Sequence, residues 1–138
     1  MYNNHSGDTY YPSLYTAYLL PLIPNILKVR NHASLTGRNG RSLLGVILVP
    51  SKELVHQVYL NVTALASRLS TTSGSHPSLH TATSREYLDN LSHSAPPVDL
   101  LITTPAQLWA INQSPAERRR TEGQLKRTRY VVVDEADL

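Results

Sequence analysis

LLGVILVP, Leu43 to Pro50, is an apolar run broken only by Gly45, and it leads straight into the polar stretch PSKE, Pro50 to Glu53. An apolar run without alternation suits a strand buried on both faces, the kind found in parallel sheets, rather than a strand with one wet face. Beyond it Leu54, Val58, Val62, Leu65 and Leu69 recur at helical spacing, with Ser51 placed to cap the helix start. Two more apolar runs, Val98 to Ile102 and Tyr130 to Val133, read as further buried strands. Short helices are expected at Ser84 to Leu91 and at Pro105 to Ile111, the latter opening on Thr104 and Pro105. Strands alternating with helices across long connections define an α/β fold with a parallel sheet flanked by helices.

Upstream, Ala17, Leu20, Ile23 and Leu27 keep helical spacing between Leu14 and Val29, flanked by Leu19, Leu22 and Ile26. This predicts a core-packed helix that Pro21 kinks or makes start late. Arg30 to Ser42 and the Ser/Thr/His-rich span Ser70 to Thr83 read as loops. Residues 1–13 read as a disordered N-terminal segment. The apolar stretch around Pro21 and Pro24 is too short and too broken for a membrane span, which needs about 20 apolar residues.

The chain has 138 residues, 41% hydrophobic and 17% charged, a globular balance. Cysteine is absent, which excludes disulfide scaffolds, thiolate zinc sites and cysteine nucleophiles. That absence, with no secretory leader at the start, leads to an intracellular expectation in which nucleus, cytoplasm and mitochondrion are not distinguished. The net charge of +3 is unevenly placed: Ser114 to Arg129 carries a net +4 and the rest of the chain −1. Arg118, Arg119, Arg120, Lys126, Arg127 and Arg129 account for it, in what reads as a solvated basic surface loop, with RNA contact as the alternative. The six histidines are dispersed, and no third ligand stands near His76 and His80. Trp109 is expected to pack its short helix onto the sheet, stacking on a base being the alternative.

Each strand ends in a polar cluster: PSKE after the first, TTPAQ after the second, DEAD after the third. In open parallel sheets the carboxyl ends of the strands form the ligand crevice, so three such clusters together make a site pattern. Asp134, Glu135 and Asp137 repel one another unless a cation or a donor balances them. Hydrated magnesium, which takes one or two carboxylates plus phosphate oxygens, is a natural partner. A solvated acidic turn is the other reading of a bare apolar-Asp-Glu pair.

The string VVVDEADL, Val131 to Leu138, resembles the motif that names the DEAD-box RNA helicases. PSKELVHQV, Pro50 to Val58, is similar to that family's PTRELA-x-Q motif, and DLLITTPAQL, Asp99 to Leu108, to its D-I-x-x-x-TPGRL motif. TAYLLPLI, Thr16 to Ile23, resembles the start of the helix behind the family's phosphate loop. The resemblance spans Thr16 to Leu138 and implies a RecA-like domain of the P-loop NTPase type, over residues 14–138. It implies an ATP-dependent RNA helicase, a nucleotide hydrolase with ATP and Mg²⁺ as cofactors and RNA as partner. By the same resemblance Asp134 would hold Mg²⁺ through water, Glu135 would activate the attacking water, and Asp137 would couple the nucleotide site to a later Ser-Ala-Thr motif. Pro50, Ser51, Lys52 and Glu53, with Thr104, Pro105, Ala106 and Gln107, would lie along the RNA backbone and hold it without sequence preference.

Departures from the family pattern are equally specific. The glycine-rich phosphate loop would fall on Tyr11, Pro12, Ser13, Leu14 and Tyr15, which offer neither the glycines, the lysine nor the N–H cradle that phosphates require. The strand before that loop, the adenine-reading Gln segment, the Ser-Ala-Thr motif and the second RecA-like domain have no counterpart in the sequence. Lys52 stands for the family's Arg, and Ala106 and Gln107 for its Gly and Arg. The expectation is therefore an incomplete first RecA-like domain, a fragment that alone neither binds ATP tightly nor unwinds RNA. A non-catalytic RNA-binding or interfering isoform and an unstable partial product are the alternatives.

Overall fold

The computed structural model describes residues 14–35, 43–71, 79–87 and 98–134. Among them, β1 (Gly45–Leu48), β2 (Thr81–Thr83), β3 (Leu100–Thr103) and β4 (Tyr130–Val133) form one parallel sheet in the order β2-β3-β1-β4. The helices are α1 (Leu14–Leu35), α2 (Lys52–Thr71), α3 (Pro105–Gln113) and α4 (Pro115–Leu125), with residues 84–87 helical as well. The α/β reading and all three expected strands are present.

Side chains alternate across the sheet and supply two cores. On one face Ile47, Leu100 and Ile102 meet Leu19, Ile23 and Ile26 of α1 and Val58 and Val62 of α2. On the other, Val46 and Leu101 meet Tyr87 and Ile111, with Leu108 and Leu125 packed beside them. Ile47, Leu100, Leu101 and Ile102 are all fully buried. Each such side chain contributes about 1.5–3 kcal/mol, so the two central strands anchor both layers. Gly45 marks a close approach: a Cβ there would stand 2.9 Å from Ile26 Cδ1 and 3.0 Å from Leu100 Cδ1.

Four local expectations are corrected. α1 runs through Pro21 and Pro24 and on into the stretch read as loop, ending at Leu35. Both prolines, and the residues Ala17 and Leu20 whose carbonyls lose their N–H partners, lie on the exposed side, where water can replace the missing bonds. The apolar stripe of Leu19, Leu22, Ile23 and Ile26 holds the helix in place from the opposite side. The Ser/Thr/His-rich loop ends in strand β2, whose N-terminal side is tied to Asp99 rather than announced by apolar residues. The basic loop is the helix α4: Ser114 precedes it, Pro115 opens it, and Arg118 pairs with Glu122 one turn on. Its single fully buried residue is Thr121, so no apolar stripe betrayed it. Finally, β4 is buried on one face only, with Val131 63% and Val133 55% exposed, because no described element covers its other face.

Candidate functional site

The parallel register sets the site. Leu48 of β1 stands opposite Thr103 of β3 and Val133 of β4, so the next residues, Val49, Thr104 and Asp134, leave the sheet in one row. Pairing continues into that row: Val49 N–H donates to the Thr103 carbonyl at 3.0 Å and Asp134 N–H to the Leu48 carbonyl at 2.9 Å. With neighbouring strands about 4.8 Å apart, Thr104 and Asp134 flank the end of β1 at roughly 10 Å from each other.

Two helices start at this edge. Ser51 caps α2, its Oγ accepting from Leu54 N–H at 3.3 Å, as its sequence position implied. Thr104 caps α3 more completely. Its Oγ1 accepts from Gln107 N–H at 3.1 Å, while Gln107 Oε1 accepts from Thr104 N–H at 3.5 Å, a reciprocal capping box. Pro50, Lys52, Glu53, Pro105 and Ala106 are exposed around these starts, and Ser51 and Gln107 are half-buried. The Gln107 carbonyl oxygen is thus engaged in the cap, leaving the side-chain amide N–H groups as its donors toward a ligand.

Asp134 is half-buried, and Tyr18 Oη–H donates to its Oδ2 at 3.2 Å. The contact joins the start of α1 to the end of β4 across 116 positions, which no local spacing reveals. Glu135 and Asp137 lie outside the described residues, as do Tyr11, Pro12 and Ser13; Leu14 and Tyr15 already belong to α1. Among the described residues no group of three metal-binding side chains gathers. Asp134 alone, with one oxygen turned to Tyr18, fits the way magnesium takes a single carboxylate through its own water shell, with phosphate oxygens completing the sphere. It would hold that ion, which supplies charge neutralisation to a phosphate chain.

At the opposite end of the sheet a second device emerges that sequence reasoning missed. Asp99, buried just before β3, accepts at Oδ2 from Arg30 Nη1 and from His80 N–H, both at 2.9 Å. It ties α1 and the start of β2 to the start of β3. Trp109, expected inside, is 68% exposed: Leu108 and Ile111 take the inward side of α3 instead.

A parallel sheet whose strand ends carry two capped helix starts and an Asp closing an apolar strand has the construction plan of part of a RecA-like domain. Residues 16–138 match the family model of the DEAD/DEAH box helicases. The chain belongs to that family. It is 39% identical over 92 residues, 67% of the chain, to the mitochondrial ATP-dependent RNA helicase MRH4 of Candida glabrata, where the match covers 15% of that protein. It is 33% identical over 125 residues, 88% of the chain, to the protein of the same name in Eremothecium gossypii, covering 21% of it. The ATP-dependent RNA helicase mak5 of Sclerotinia sclerotiorum is 29% identical over 100 residues, 72% of the chain and 12% of that protein. The chain thus spans about a fifth or less of the curated relatives it matches. Among the described residues no helix is long and apolar enough to cross a membrane.

Proposed function

We propose that the chain is part of the first RecA-like domain of an ATP-dependent RNA helicase, and that the carboxyl edge of its sheet carries a single RNA strand. The observation that supports this best is the shared register, which brings the Pro50–Glu53 and Thr104–Gln107 starts and Asp134 out side by side. Helix starts present N–H groups to phosphate oxygens, and Lys52 adds a positive charge beside them. Contacts of this kind hold a backbone and ignore base identity. In this reading Asp134 holds magnesium through water, Glu135 activates water, Asp137 couples the two events, and a second RecA-like domain closes over the edge. The stretch Tyr11 to Tyr15 favours RNA binding without turnover for the 138-residue chain itself, since it lacks phosphate-binding chemistry.

The test is fluorescence anisotropy of a labelled, unstructured RNA titrated with the 138-residue chain at several salt concentrations. Salt-dependent binding is expected that survives Glu135→Gln, weakens with Lys52→Ala, and differs little between RNA sequences. ATP hydrolysis stimulated by RNA is expected to be absent. Binding indifferent to Lys52→Ala would overturn the edge as the RNA track, and RNA-stimulated hydrolysis would overturn the inactivity of the chain.

A further inference from the structure

The surface of α3 and α4 carries two features that the strand-end site leaves unused. The first is the exposed stripe of α3 beyond that site. Trp109, Ala110 and Gln113 are exposed and continue, at i+4, i+5 and i+8 from Pro105, the face that Pro105 and Ala106 begin at the Thr104 cap. Trp109 sits one turn, about 6 Å, from Pro105. An indole 68% open to solvent on a helix that has Leu108 and Ile111 available for packing is not there to fill the core. The second feature is the charge of α4, which packs against α3. Arg119 and Lys126 are two turns apart on the side opposite the buried Thr121, and both are exposed. Arg127 and Arg129 follow, also exposed. Glu122 pairs with Arg118, and with these two charges set against each other the remaining cations still outnumber the acidic groups of the segment.

We propose that the outer face of the α3–α4 pair is an accessory binding surface for single-stranded RNA, with Trp109 stacking on a base and Arg119 and Lys126 holding phosphates. Charge complementarity selects the occupant: the segment from Ser114 to Arg129 is +4 within a chain whose remainder is −1, and the exposed indole adds a stacking platform. An acidic protein would meet the same cations, and the acidic-peptide arm of the test below separates it from RNA. The proposal rests on RNA as the ligand of the carboxyl edge and extends that track down α3 by one turn and across to α4.

Trp109 is the sole tryptophan, so its emission reports on this face alone. Titration of the 138-residue chain with oligouridylate is expected to quench that emission saturably, with a midpoint matching anisotropy. Trp109→Ala is expected to weaken binding about tenfold, within the range of one stacked base. Arg119→Gln with Lys126→Gln is expected to lower the slope of log affinity against log salt by about 1.4, the share of two phosphate contacts on a single strand. Lys52→Ala is run in parallel as the marker of the edge. Loss with Lys52→Ala, but emission and salt slope untouched by RNA and by the double variant, would overturn the accessory surface and leave the edge standing. The converse pattern would support the surface and overturn the edge. An acidic peptide that quenches Trp109 as well as RNA does would also overturn the proposal.

Discussion

Asp99 should be among the most costly surface-remote residues to alter. Its carboxylate meets Arg30 at 2.9 Å with side-chain exposures of only 8% and 12%, and the same oxygen accepts from His80 N–H. At that separation and an effective dielectric of about 20 the gross attraction is roughly 6 kcal/mol, most of it offset by removing both ions from water. The loss on breaking the pair is therefore set by the charge left behind in a poorly hydrated place. Asp99→Asn preserves shape and an acceptor for His80 N–H, so its cost should fall at the lower end of the buried-pair range, about 3 kcal/mol. Asp99→Ala also strands the His80 N–H and should cost about 1–3 kcal/mol more.

Urea unfolding of the 138-residue chain followed by far-ultraviolet circular dichroism measures this directly. With a slope of about 1.5 kcal/mol/M, Asp99→Asn moves the midpoint down by about 2 M. Arg30→Met separates the partners, and the double variant Arg30→Met/Asp99→Asn should cost at least about 1 kcal/mol less than the sum of the singles. Raising sodium chloride should barely change these costs, since a buried pair is poorly screened. A cost below about 0.5 kcal/mol for Asp99→Asn, or additivity of the two singles, would refute the view that this pair holds α1 against the sheet.

Thr104→Ala removes the side-chain half of the α3 capping box, the bond from Gln107 N–H to Thr104 Oγ1, and should cost about 1 kcal/mol in thermal or urea unfolding, with Thr104→Ser recovering most of it. The Arg118 side chain, through its hydrogen bond first and its charge second, holds the Glu122 carboxyl below its ordinary value of 4.5. The helix support from this contact is present above the ordinary carboxyl range and is lost as pH falls through the depressed folded value; nuclear magnetic resonance titration of Glu122 should show the low midpoint, and Arg118→Gln should raise it toward the ordinary range, with Lys126 still lowering it in part. Burial raises the Tyr87 hydroxyl above its ordinary 10.0, the Thr121 hydroxyl beside it offsetting only part, and neither completes a hydrogen bond among the described residues. Tyr87→Phe should therefore be near neutral at pH 7. Because the raised value favours the protonated folded state, stability is full below the ordinary tyrosine range and falls as pH rises through the folded value. Unfolding measured at pH 8 and again above pH 10 should show Tyr87→Phe losing less over that interval than the unaltered chain.

What could be read in advance follows the physics of each element. β1 and β3 announce themselves because strands buried on both faces must be apolar throughout, and Leu100, Leu101 and Ile102 have no alternative use. Ser51 and Thr104 were legible because a cap is local, one side chain serving an N–H three positions on. α4 was hidden because its stability comes from backbone bonds, an opening proline and an arginine–glutamate pair, so hydrophobic periodicity had nothing to register. β2 and the Asp99 clamp were hidden for another reason: Arg30, His80 and Asp99 are polar residues spread over 69 positions, joined only by the fold.

The same division runs through the site. Lys52, Thr104, Pro105 and Asp134 could be named from motifs, but their common level depends on register, and register depends on contacts distant in sequence. Asp99 sits at the amino end of β3 and Thr104 at its carboxyl end, four short residues of strand apart. A clamp that fixes one end of so short a strand fixes the other. Loosening Arg30–Asp99 should therefore disturb the alignment of Thr104 with Asp134 before it unfolds the chain. A residue with no ligand-facing role would then lower RNA affinity in the folded state, which separates positioning by the fold from contact by the motif. Asp99→Asn at a temperature where the chain remains folded should show weaker RNA binding with an unchanged salt slope, whereas Lys52→Ala should lower the slope by about 0.7.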